Sequence, residues 1–181
     1  MANTTTASQP LDLNPLSSVG FRFAIKKIPN VNYFCQSVTL PSISMGVVET
    51  NNPLIAIPRP GDRMIFDPLM LKFKVNADLK NYLEIFNWIV GLGHPVSLSQ
   101  TRTLSAGAEI PNAKIGSAAS FVSDGTLIIL NAHKNPSHYV FFRDLFPISL
   151  SELTFDSTAQ ELEYLEAMVS FRYSRYDIET R

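Results

Sequence analysis

The chain has 181 residues, 45% hydrophobic and 17% charged, with a formal net charge of −1. That length fits one domain with its own core and is short for two. The balance of 15 basic and 16 acidic residues gives no global field toward nucleic acid or an anionic surface, no apolar run approaches the ~20 residues of a membrane span, and a single cysteine, Cys35, excludes an intrachain disulfide.

Residues 1–18 are small and polar and read as a flexible arm, without the basic start and apolar run of a signal peptide; synthesis in a cytoplasm is the expectation. From residue 19 onward the chain reads as one β domain. Phe21, Phe23 and Ile25 alternate with Arg22, Ala24 and Lys26, a half-buried strand that Pro29 and Asn30 should end. A second strand is expected over 33–40, stopped by Pro41, and a third over 44–50. Cys35 lies in the second and reads as a small buried hydrophobe.

Residues 51–62 hold three prolines and one glycine around Leu54, Ile55 and Ile57. Proline removes ladder donors, so this is no central strand. It reads either as a protruding hairpin that docks on something or as a loop folded back on its own domain. Pro60, Gly61, Asp62 and Arg63 read as a turn. Leu69, Leu71, Phe73 and Val75 then alternate with Met70, Lys72 and Lys74 as a strong strand. Asp78 offers an N-cap to a helix over 79–90, whose apolar residues recur at three and four, with Gly91 as its stop. Trp88 reads as a packing anchor.

Residues 93–120 lack periodicity, a long segment for a compact domain and a sign of function, mobility or ordering by a partner. A strand over 121–130 follows, with a bulge expected at Asp124 and Gly125, then a hairpin loop over 131–137 and a strand over 139–145. Ile148 and Leu150 are out of phase with Leu153 and Phe155, which predicts a one-residue slip near Ser151 and Glu152. Beyond 165, Leu165, Ala167, Val169, Phe171 and Tyr173 alternate with Glu166, Met168, Ser170 and Arg172. This long closing strand should turn its first set to the core and Glu166, Ser170 and Arg172 to a wetter face, with an edge for a neighbour to complete.

No catalytic, cofactor or metal constellation emerges. His133 and His138 share a turn-like stretch without partner ligands, and His94 stands apart. Glu163 and Glu166 read as solvated. The alternating aromatic and arginine residues of 171–176 could serve a single-strand binder, or simply pair across strands. Charge at 17%, against ~25% in ordinary soluble domains, favours a chain that hides more surface in an assembly.

Three stretches carry a resemblance to a known family: residues 34–41, with Cys35 and Pro41; Gly61, Asp62, Arg63 and the strand to Val75, followed by the helix from Asn81 to Trp88; and residues 145–173. Together, over 19–176, the chain resembles the tail tube proteins of contractile-tailed bacteriophages. That resemblance implies an antiparallel β-sandwich or half-barrel with one flanking helix, a non-enzymatic role without cofactor, and a hexameric ring. Rings would stack into a tube through an extended hairpin, about 47–63, with Val47, Val48, Leu54, Ile55, Ile57 and Arg63 as contact residues. Glu166, Ser170 and Arg172 would face the lumen or a neighbour. Expected partners are further copies, sheath or baseplate proteins, and phage DNA passing without specific binding, in a virion tail assembled in the host cytoplasm. Segment 93–120 and the Asn-Pro-Leu arm at the start, residues 14–16, depart from the simplest tube pattern and leave open an initiator or terminal ring. A monomeric nucleic-acid or protein-binding domain is the remaining alternative, and an enzyme with a scattered site a third.

Overall fold

The computed structural model describes residues 16, 18, 20–51, 54–93, 121–156 and 164–180. The chain is mainly β, with antiparallel sheets, and two helices lie among the described residues. In chain order the elements are β1 (Phe21–Ile25), α1 (Pro29–Phe34), β2 (Cys35–Thr39), β3 (Ile43–Asn51), β4 (Ala56–Phe66), β5 (Leu69–Lys74), α2 (Lys80–Gly93), β6 (Ser123–Leu130), β7 (Pro136–Leu150), β8 (Glu166–Arg172) and β9 (Arg175–Thr180). Segment 93–120, beyond Gly93, and Glu163 lie outside the described residues, as does most of the 1–18 arm.

One long strand organises the domain. β7 pairs with β6 between Pro136 and Leu145 and with β9 over residues 138–143, while residues 146–150 pair with β8. The path runs β1-β6-β7-β8-β5-β2, with β9 added beside β7. The change of partner falls at Asp144, which adopts the left-handed φ of 54°. Aspartate tolerates that region better than most residues. Ser174 holds the corner, donating its amide to Arg143 O at 2.9 Å and its hydroxyl to Asp144 Oδ2 at 2.8 Å.

Both halves turn alternate residues inward. Phe23, Ile25, Leu127, Val140 and Phe142 meet Leu69, Leu71, Phe73, Ala167, Val169 and Phe171 in one core. Helix α2 adds Ile85 and Trp88 from the same stripe as buried Asn81. Trp88 is buried against Phe171 and donates its indole N–H to Phe121 O at 2.9 Å, with Lys27 Nζ 5.1 Å from the ring centroid. The anchor reading of Trp88 therefore holds. Asn81 bridges the helix to β5, donating to Lys74 O at 2.7 Å and accepting from the Asn76 amide at 3.1 Å.

Several expectations change. Pro29 opens a short helix instead of only ending a strand; its missing N–H costs nothing at a first helical turn. Asn32 within that helix accepts from Ile25 N at 2.9 Å and donates to Ile25 O at 3.0 Å. The second strand is correspondingly shorter, and two helices, not one, occur among the described residues. α2 is entered through Leu79 at φ 57°, with Asp78 paired to Lys80 at 3.0 Å, and it runs past Gly91 to Gly93. The bulge at Asp124 is present. The later slip lies at Ile148, between Pro147 and Ser149, three residues before its expected position. The closing strand breaks at Tyr173 and Ser174 into β8 and β9. β8 pairs with β5 on one side and β7 on the other, so it is interior and offers no open edge. Among the described residues, the strands of this seven-stranded sheet with one partner are β1, β2 and β9.

Candidate functional site

Among the described residues β3 and β4 form a sheet of their own and pair with no other strand. The third expected strand and the proline-rich segment are thus the two arms of one ribbon. Residues directly opposite share a face. One face carries Ile43, Met45, Val47 and Met64; the other carries Ile65, Val48 and Ile57. Val47 is 66% exposed, Leu54 94% and Ile55 66%, and Val48, Ile57 and Arg63 are exposed as well. A two-stranded ribbon with apolar residues on both faces is marginal alone in water. Exposed apolar surface of this kind is a common feature of interaction sites. Ile43, Met45, Met64 and Ile65 belong to this surface and extend it toward the domain. The apolar pair at 64–65 was the signal for them, hidden by reading 60–63 as a turn.

That reading fails for a local reason. Gly61, Asp62 and Arg63 lie within β4, opposite Gly46, where the register shifts between Met45 and Val47. A Cβ on Gly61 would sit 2.6 Å from Gly46 O, closer than side-chain carbons approach backbone oxygen. The glycine pair is therefore a crossing point of two backbones in a bulge. Pro58 and Pro60 are two residues apart, so both missing donors fall on one side of β4. A ribbon strand with an unpaired outer side accommodates them.

The ribbon's root is tied to the corner between β8 and β9. Arg172 Nη1 donates to Phe66 O at 3.1 Å, Tyr173 OH to Asp67 O at 2.8 Å, and Tyr176 OH to Pro41 O at 3.3 Å. Asp67 N donates to Ser42 O at 3.1 Å, and the Ser42 hydroxyl donates to the Asp67 carboxylate. Phe66 packs on Tyr173 and Tyr176, and both tyrosines pack on Phe142 in the core. Burial, with smaller contributions from Tyr176 and Asp67, pushes the Tyr173 phenol up to about 12. These rings are occupied: Phe171 and Tyr173 are buried. The 171–176 stretch thus offers no stacking platform, against the single-strand-binding alternative.

The expected wet-face residues separate. Glu166 is exposed and pairs with Lys72 at 2.5 Å, a hydrogen bond that holds its carboxyl below the ordinary range. Ser170 is buried, opposite Met70 and Ser149. Arg172 is exposed but engaged at the ribbon root.

Two concavities, of about 530 and 570 Å³, flank the domain. The first is mainly apolar, with Phe34, Val75, Leu79, Phe155 and Tyr164; the second includes Arg22, Asn32 and Cys35. Burial pushes the Cys35 thiol up to about 11, which leaves little thiolate near neutral pH. No metal-holding group of His, Cys, Asp or Glu occurs among the described residues. His133 lies in the 131–135 loop and His138 within β7, its ring beside Ser137 Oγ at 2.9 Å. No described helix is long and apolar enough to cross a membrane.

Comparison with known proteins gives the class of this β domain. A family model described as phage tail tube protein matches residues 11–179. The chain belongs to the phage tail tube protein family. Among solved structures, it is similar to the anti-feeding prophage tube-terminating cap, at TM-score 0.61 and 16% identity over 97% of this chain and 98% of that one. It is also similar to a chain of an extracellular contractile injection system sheath–tube complex, at TM-score 0.59 and 17% identity over 100% and 99%. A chain of the same system's sheath/tube terminator gives TM-score 0.61 and 18% identity over 94% and 100%. Comparison with curated proteins gave no match.

Proposed function

We propose that this chain is a structural subunit of a tail tube, forming a hexameric ring that stacks with others around a central channel. The observation that carries the reading is the β3–β4 ribbon, apolar on both faces and unpaired beyond itself. Membership of the tail tube family supplies the assembly in which such a ribbon is useful. Val47, Val48, Leu54, Ile55, Ile57 and Arg63 contact neighbouring copies. Glu166 and Arg172 face the lumen or a neighbour, with Ser170 behind them. Each ring contact is head to tail, so assembly stops as a ring only where the rotation closes. Strand edges that join neighbours come from β1, β2 and β9, because β8 is already paired on both sides.

The ring sits in a virion tail assembled in the host cytoplasm, beside sheath or baseplate proteins, and DNA passes through the channel during ejection without specific binding. The near-neutral chain supports passage, since a strongly basic wall would retain phosphate. A terminal ring is the second reading, favoured by likeness to a tube-terminating cap and a tube terminator alongside a sheath–tube complex. Native mass spectrometry tests the ring directly: a hexamer supports it, and a monomer at all accessible concentrations overturns it. Mixed with pre-formed tubes, a repeating subunit lengthens them, whereas a terminal ring binds the ends and blocks growth.

A further inference from the structure

We infer that the corner between β8 and β9 is a latch that sets the direction in which the β3–β4 ribbon leaves the domain, with the Gly46/Gly61 crossing as a hinge beyond it. Arg172, Tyr173 and Tyr176 are its positioning residues. The inference rests on the ribbon being the assembly arm proposed above, but its mechanical content concerns the isolated chain.

The latch is built on backbone carbonyls. Arg172 reaches Phe66 O, Tyr173 reaches Asp67 O and Tyr176 reaches Pro41 O, so both strands of the ribbon are held where they leave the domain. Bonds to carbonyls fix chain direction while leaving the arm's side chains free for a partner. The tyrosine rings join this contact to Phe142 and hence to the core. Beyond the root, the ladder is regular only to Met45 and Met64, then shifts register across Gly46 and Gly61. Beyond the crossing Val47, Val48, Leu54, Ile55 and Ile57 are exposed, and the strand pairing found there among the described residues is that of β3 with β4. The ribbon therefore divides into a root coupled to the core and a tip that swings about the crossing until a partner orders it.

The test is hydrogen exchange of the purified full chain, comparing wild type with Tyr173→Phe/Tyr176→Phe, which removes two hydroxyl donors and keeps the rings. In wild type the root amides, around 43–45 and 64–67, should exchange more slowly than the tip amides, around 47–50 and 56–59. In the double variant, root exchange should rise about tenfold while β5 and β8 amides stay protected. Gly61→Ala should instead deprotect the tip and leave the root slow, since its Cβ forces the two backbones apart at the crossing. Equal exchange of root and tip in wild type, or a root unchanged by the double variant, overturns the latch. Loss of protection throughout the core would also overturn it, by showing a purely structural role. Hexamer formation, read separately, tests the assembly reading: a correct exchange pattern in a chain that forms no ring would retain the latch and remove its purpose in a tube.

Discussion

Trp88 concentrates several roles in one side chain. It fills the core against Phe171, donates to Phe121 O and lies under Lys27 Nζ. Trp88→Ala should cost about 3–5 kcal/mol in denaturant unfolding, from lost apolar contact and the cavity left behind. Tyr173 gives a pH signature. Its phenol is raised to about 12, chiefly by burial, so the folded state favours the neutral form. That stabilisation is complete below an ordinary tyrosine value near 10 and is lost as pH rises through about 12. Deprotonation also removes the donor to Asp67 O. Tyrosinate absorbance should therefore show a late-titrating group, absent in Tyr173→Phe. The variant's stability should also change less between pH ~10 and ~12 than that of wild type.

At the scale of elements, the ribbon's exposed apolar residues can be changed without touching the core. Val47→Asp and Ile57→Asp should leave the unfolding free energy within about 0.5 kcal/mol, as expected for surface substitutions. They should nevertheless weaken ring stacking, since each places a charge where a neighbour must exclude water. Sedimentation of mixed monomer and tube fractions checks this; normal tubes from either variant would remove the ribbon from the interface. Much of this element was legible in advance. Alternation exposed β1 and β5, the three-and-four spacing exposed α2, and Leu54, Ile55 and Ile57 between prolines marked an apolar arm. What failed depended on distant partners. Gly61 signals a turn in isolation, yet its reason for being glycine is Gly46 O across the ladder. The period-two pattern of residues 165–173 gives the buried face of β8, with Ala167, Val169 and Phe171 inward. It cannot reveal that β5 and β7 occupy both edges. Likewise, phase alone places Arg172 on a wetter face, and only the packed corner shows its bond to Phe66 O.

Across the whole molecule, the balance of charge and exposed apolar surface points to assembly. The domain core is closed by its own helices and by the shared strand β7. The surface left uncommitted includes the ribbon and the outer edges of β1, β2 and β9. In the proposed ring these find partners in neighbouring copies, which removes exposed edges that would otherwise template aggregation. The most direct test is cryo-electron microscopy of the assembled wild-type protein. The account predicts closed hexameric rings around a central channel, with residues 47–57 of each copy ordered against a neighbouring copy. A solitary monomer, or a ring in which the ribbon projects into solvent, would contradict it.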